Sequence, residues 1–305
     1  MALSDTGWSY RLAGDEELTA GLLRAAAGRA ERALEGLSAS SAGQADIAEA
    51  VHDARKDMKK LRTVLRALRD QLGSKRYRRA NSRFRDAGRA LSAGRDAAVK
   101  PATLDALAEH ADGLPGPAVE AWRAILARDR DAAADTPGEA RSIAEAIALI
   151  EAGLEEIRGW ELAGDRWKPV GAGLRRTYRD GRRAMKAARR DAAEADFHEW
   201  RKRAKDLWYE LRLFAPAWPP PLEAAAEEAH VLSEGLGEHH DLAVLRQDLR
   251  ARNLGEAESA ALETAIDRRQ EELAAAAFSL GLRLYAERPK EFSRRLRQYW
   301  EAWRA

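Results

Sequence analysis

The chain has no cysteine in its 305 residues, which excludes disulfides, thiolate zinc sites and thiol nucleophiles. Long apolar runs are missing too. No stretch approaches the ~20 consecutive apolar residues that a membrane-spanning helix needs, and the N-terminus lacks the apolar segment of a secretory signal. These absences predict a cytoplasmic protein that crosses no membrane. Residues branched at Cβ are few, and no segment alternates apolar and polar residues for long enough to read as a strand. There is no glycine-rich phosphate loop, no Walker sequence and no nucleophile placed beside a general base. Those gaps argue against an enzyme and against a cofactor, and point to a binding protein.

What is present is helical. Ala, Leu, Glu and Arg dominate, and charged residues make up 33% of the chain, a composition that favours helix over sheet. Helix-period patterns predict helices over 15–37, 44–72, 75–98, 102–111, 117–133, 138–160, 170–191, 195–214, 221–251, 256–286 and 289–303. The breaks "SASSAG" (38–43), "DGLPGP" (112–117), "ADTPG" (134–138), "GDRWKPVG" (164–171) and "PAWPPP" (216–221) are all short. Helices joined by short turns predict antiparallel neighbours in bundles. Trp122, Trp160, Trp167, Trp300 and Trp303 read as packing residues.

A net charge of only +2 conceals a sharp division. Val51–Arg79 carries eleven Lys/Arg against three Asp/Glu, and Leu174–Lys205 twelve against five. Leu222–Glu272 reverses the balance with thirteen acids against five bases, and that acidic stretch is expected on the outer face.

An internal repeat organises the basic segments. Placing His52 on His198 also places Arg55 on Arg201, Lys56 on Lys202, Lys59 on Lys205, Leu61 on Leu207, Leu65 on Leu211 and Arg66 on Arg212. Further on, "LSAGRDAAV" (91–99) resembles "LGEHHDLAV" (236–244), which puts Asp96 on Asp241. The His-to-Asp separation is 44 residues in one copy and 43 in the other, so two elements keep both order and spacing. The period is too long for a solenoid and predicts two similar helical bundles packed face to face.

At 100° per residue, His52, Arg55, Lys56, Lys59 and Arg66 share a narrow helix face with Arg62 at its margin. Ala54, Met58, Leu61, Val64, Leu65 and Leu68 occupy the opposite side, so their burial sets the direction in which the bases point. In the second copy His198, Arg201, Lys202, Lys205 and Arg212 face away from Trp200, Ala204, Leu207, Leu211 and Phe214, with Trp208 standing where Arg62 stands. Arg78, Arg85 and Arg89 share a face of the third helix. Arg175, Arg179, Arg182, Lys186 and Arg189 share a face of the helix before His198. Each half therefore adds a basic helix at a non-equivalent position, which suits one continuous site.

Like charges stacked at i,i+3 and i,i+4 cost a few tenths of a kcal/mol per pair, so a polyanion is expected to supply the missing charge. Bases one turn apart lie about 6 Å apart along the axis, and a row of them suits a linear repeating anion. Single-strand nucleic-acid binders interleave exposed aromatics with their bases; here only Trp208 and Tyr209 approach the basic face, so bare phosphate chains fit better than nucleic acid. A nucleic-acid-binding helical module and a helical scaffold for an acidic protein partner remain as alternatives. No metal site is expected, since His239 and His240 project differently and His52 and His198 sit among cations. Asp96 and Asp241 each directly follow a His or Arg, and read either as surface ion pairs or caps, or as orienting a basic side chain of their own half.

In "VHDARKDMKKLR", "FHEWRKRAKDLWYEL", the Arg95–Asp96 pair and "HHDLAVL" (239–245), the sequence resembles the CHAD family, the conserved-histidine α-helical domain, over roughly residues 15–285. The resemblance implies an all-α fold of two pseudo-symmetric antiparallel four-helix bundles around a basic groove or pore. It also implies binding of inorganic polyphosphate and association with polyphosphate granules. Within this frame residues 1–14 form an N-terminal extension and 15–288 a single domain, with 289–305 as a C-terminal helix. The domain divides into a first half at about 15–135, a connecting helix at about 138–160 and a second half at about 168–288. Some family members carry an N-terminal triphosphate-tunnel catalytic domain. The short extension and the lack of an ExExK-like strand predict a free-standing copy. The phosphate-binding role would fall on His52, Arg55, Lys56, Lys59, Arg62, Arg66, His198, Arg201, Lys202, Lys205 and Arg212. Trp208, in place of a base, puts that one contact in doubt.

Overall fold

The computed structural model describes residues 8–92, 99–111, 114–129, 140–162, 167–252 and 259–305 in full, and 95–98, 130–134, 139 and 256–258 as helical backbone. Among the described residues the chain forms eleven α-helices and one 3-10 turn, with no strand. In chain order these are α1 (Leu18–Ser41), α2 (Ile47–Ala67), α3 (Arg69–Ala90), α4 (Arg95–His110), α5 (Gly116–Ala134) and α6 (Glu139–Arg158). They continue as α7 (Trp167–Asp191), α8 (Glu194–Phe214), α9 (Pro219–Arg252), α10 (Glu256–Leu284) and α11 (Pro289–Trp303). Among the described residues no helix is long and apolar enough to cross a membrane.

Most expected boundaries hold because local chemistry sets them. Asp46 caps α2 by accepting the Glu49 N–H at 2.8 Å, with Glu49 in the first turn and Arg66 in the last, as the helix dipole favours. Gly73 takes φ 71° and breaks α3 at the expected place, since only glycine reaches that region without steric cost. Pro219, Pro220 and Pro221 open α9, where their missing N–H groups have no helical partner to lose. Two junctions differ. The helix expected over 44–72 ends at Ala67, and α3 has already begun at Arg69 before its kink at Gly73. The helix expected over 75–98 stops at Ala90, and Pro101 lies inside α4 rather than before it. Ser92 explains the stop: its hydroxyl donates to the Gly88 carbonyl at 2.8 Å and its N–H to Arg89, closing the last turn.

Two features of the packing were not legible in the chain order. Helix α6, expected to be a connector, packs against α1 and α3 and closes a ring of α1, α2, α3 and α6. Its apolar side of Ile143, Ala146, Ile150, Leu154 and Ile157 has to be buried somewhere, and this ring buries it. Helices α4 and α5, which belong to the first half by sequence, pair with each other and close on α9 and α10. There Leu104, Leu107, Val119, Trp122 and Leu126 share a separate core with Leu242, Leu245, Leu249, Leu262 and Ile266. Helices α7, α8, α9 and α10 pack in succession, and α11 lies on α7.

The two halves meet where α7 and α8 touch α2. A Cβ at Gly173 of α7 would lie 2.7 Å from the Ala67 Cα and 2.7 Å from its carbonyl oxygen, so the backbones approach as only glycine permits. Beside this contact Arg66 donates to Asp206 at 2.7 Å, and Asp206 also accepts from Arg203 at 2.9 Å. The N-terminal extension joins the same seam. Tyr10 and Leu12 are buried, the Tyr10 hydroxyl donates to the Lys60 carbonyl at 3.2 Å, and the Leu12 N–H donates to Leu213 at 3.1 Å.

Replacing Gly173 by Val must push α7 off α2, because the obstructing atoms are backbone. An overpacked contact of this kind costs about 1–3 kcal/mol. Chemical denaturation of Gly173→Val is expected to show a loss in that range, and a variant as stable as the wild type would contradict the close approach.

Candidate functional site: a cavity between two basic rows

The apolar sides expected for α2 and α8 are the buried ones. Ala54, Met58, Leu61, Val64, Leu65 and Leu68 are each at most 1% exposed, and Trp200, Ala204, Leu207, Leu211 and Phe214 at most 2%. This burial holds both helices in rotation. Their opposite faces reach a single cavity of about 1130 Å³. His52, Arg55, Lys56 and Lys59 line it from α2; Arg201, Lys205 and Trp208 line it from α8. Histidine-led segments far apart in sequence thus share one space. Helices α4 and α10 add an apolar wall that includes Val99, Ala106, Leu273 and Leu280.

Helix α9 corrects, for four of its acids, the expectation that the acidic stretch faces outward. Glu227, Glu234, Glu238 and Asp241 line the same cavity, one helical face seen at intervals of seven, four and three residues. Lys205 lies 3.4 Å from Glu234, and Arg201 lies 3.7 Å from Asp241. Glu238 is held from outside by Arg269 at 2.7 Å. The 7-4-3 spacing was readable in the sequence, but nothing local says which way α9 turns. Gly237 sets the approach of Arg201, since a Cβ there would lie 2.9 Å from the Arg201 guanidinium.

Other residues of the expected site lie elsewhere. Arg66 is committed to Asp206 in the seam between the halves. Arg62 is half-buried and donates to Asn81 at 3.0 Å; burial, and Arg66 beside it, lower its pKa to about 10. Arg212 stacks over the Trp208 ring at 5.6 Å. Lys202 is exposed and pairs with Glu199, whereas Lys56 keeps its place in the cavity wall and lies 3.8 Å from Asp53. Arg78, Arg85 and Arg89 on α3 lie outside the cavity wall, the last two beside Asp86. Arg179, Arg182 and Lys186 on α7 also lie outside it. Asp96 falls in the first turn of α4, and its side chain lies outside the described residues.

The histidines differ in setting. His52 faces the cavity, whereas the His198 ring lies against His240 with centroids 4.3 Å apart and its Nδ1 is buried without a partner. Burial, then the neighbouring His240, Lys202 and Arg201, lower the His198 pKa to about 4. His239, which the sequence left without a role, stacks on Phe197 at 4.2 Å, and burial lowers its pKa to about 4 as well. Trp208 is stacked on His230 at 4.0 Å and 8°, so that face of the indole is already covered.

An all-helical chain with paired histidine-led basic helices defines the class, and the comparison with known families agrees. The CHAD domain matches residues 23–250, well over half of the chain, and the chain belongs to that family. No curated protein matches it.

The histidine shifts fix a sign for the pH dependence of stability. An unfolded histidine titrates near 6.5, so between about pH 6.5 and 4 the unfolded chain binds more protons than the folded one. The stabilisation is complete above that window and is lost as pH falls through it. Urea midpoints at pH 7.5 and 5.0 are expected to drop, and to drop less in His239→Phe, which keeps the stack on Phe197 and removes the titration. An equal drop in both proteins would contradict the assignment.

Proposed function

We propose that this chain binds inorganic polyphosphate between the basic rows of α2 and α8, and that it is a binding protein without catalytic activity. The observation that carries this reading is that His52, Arg55, Lys56 and Lys59 face the same cavity as Arg201 and Lys205. Membership of the CHAD family is consistent with it. The family's architecture is proposed with it: the ring of α1, α2, α3 and α6 and the succession α7–α10 as two related bundles, with the cavity as the groove between them. Association with polyphosphate granules in the cytoplasm follows as part of the same proposal.

The acids on α9 are compatible with an anionic ligand. Glu234 is 59% exposed, and exposed ion pairs contribute about 0–1 kcal/mol. A phosphate chain that offers each base several charged oxygens outcompetes such a pair. Single-stranded nucleic acid fits less well. Base binding needs open aromatic faces, yet Trp208 is stacked on His230 and flanked by Arg212, and Tyr209 is buried.

Charge-assisted contacts are each worth roughly 1.5–3 kcal/mol, so Lys56→Glu with Lys59→Glu is expected to weaken polyphosphate binding by about 100-fold or more. Lys205→Glu on the opposite row is expected to weaken it by a comparable factor per contact, and wild-type affinity should fall as salt rises. Calorimetry, with single-stranded DNA as competitor at one salt concentration, measures both. DNA that competes as well as polyphosphate at equal charge would favour the nucleic-acid reading.

A further inference from the structure

The bases of α7 that the cavity leaves out form a surface of their own. Lys168, Arg175, Arg179, Arg182, Lys186 and Arg189 fall within an arc of about 80° at 100° per residue. They extend over about 32 Å of helix at 1.5 Å per residue. The other side of α7 is core: Val170, Leu174, Tyr178, Met185 and Ala188 are buried. That burial points the stripe away from the packed side. Lys168, Arg175, Lys186 and Arg189 are exposed and Arg179 and Arg182 half-exposed. Among the described residues only Arg179 of this row has an acidic partner, its own neighbour Asp180 at 3.1 Å. Cavity bases, by contrast, are matched by Glu234 and Asp241. Helix α1, which precedes α2 as α7 precedes α8, shows the ordinary use of such residues. There Arg24 pairs with Glu16, Arg29 with Asp57, and Arg32 with both Asp53 and Asp57. A stripe of like charges with almost no internal counter-charge is repulsive unless an outside anion covers it.

Resting on the polyphosphate reading of the cavity, we infer that the α7 stripe is a second, separate polyphosphate-binding surface. One protein then holds two chains, one in the cavity and one along α7. The partner's chemistry follows from the stripe. From Arg175 to Arg189 its charges recur at each helical turn, so it matches an anion of regular linear charge, and Tyr178, the only aromatic between Lys168 and Arg189, is turned into the core. No base-stacking surface interrupts the row. A protein with two such sites crosslinks polymer chains instead of only coating them. The stripe is open to solvent, so its occupancy is lost at lower salt than that of the cavity.

Stoichiometry with short polyphosphate chains, each long enough for one row only, tests this by calorimetry and native mass spectrometry on the full chain. The wild type is expected to bind two chains at low salt and one after moderate salt is added. Arg175→Glu, Arg182→Glu, Lys186→Glu and Arg189→Glu together are expected to leave one chain, bound with unchanged affinity, and the four Gln substitutions to weaken the second site about tenfold or more. With long chains, the wild type is expected to scatter light through crosslinking and the stripe variants are not. A wild type that binds a single short chain overturns the second site, as does a glutamate variant that still binds two. A short RNA duplex that takes the stripe as well as polyphosphate at equal salt overturns the choice of ligand. If Lys56→Glu with Lys59→Glu and Lys205→Glu leaves both chains bound, the cavity reading fails while the stripe stands.

Discussion

The arrangement depends on how the apolar sides of α2 and α8 are buried. Each helix carries a row of like charges that repel one another along the axis, and neither row would be held in place by its own interactions. What holds them is the opposite face: Met58, Leu61 and Leu65 in one helix and Trp200, Leu207 and Phe214 in the other are almost wholly removed from water. At roughly 25 cal/mol per Å² of apolar surface buried, that term far exceeds the few tenths of a kcal/mol lost to each like-charge pair. Rotating either helix by one residue would expose core side chains, so the bases have one direction open to them.

From this constraint the crossing of the halves follows. Gly173 lets α7 lie on the backbone of α2, and in the adjoining seam the partly buried Arg66 and Arg203 hold the buried Asp206. A buried pair of this kind is costly to break on one side because the remaining charge is stranded. Arg66 and Arg62 continue the row that begins at His52, yet Arg66 is spent on cohesion between the halves and Arg62 on Asn81 of α3. The same helix face therefore serves two ends, lining the cavity near its start and structural near its finish. Arg212 does likewise in the second copy, lying on Trp208.

The cavity is neither uniformly basic nor symmetric. One wall is cationic, α9 supplies acids, and α4 and α10 supply apolar side chains. The two copies differ in that α9 runs unbroken from Pro219 to Arg252 while α3 stops at Ala90 and α4 starts at Arg95. That interruption frees the α4–α5 pair to settle on the other half, where His110 meets Glu272 at 2.6 Å and Lys100 meets Asp248 at 3.3 Å.

Helix content, most helix ends, the apolar side of each repeated helix and the position of the bases along it were all legible in the sequence. They depend on residues within a turn or two of one another: a cap at Asp46, a glycine at Gly73, a periodicity of 3.6. The repeat also showed that His52 and His198 are counterparts. Sequence could not say which rows share a cavity, because Arg55 and Arg85 look alike as exposed helical bases, and only packing sends one inward and leaves the other beside Asp86. Nor could it place the α9 acids opposite the α8 bases, or send α4 and α5 to α9 and α10. Those outcomes depend on contacts between different helices, some more than a hundred residues apart, where the choice among equally apolar faces is made by shape and close approach and not by any local preference.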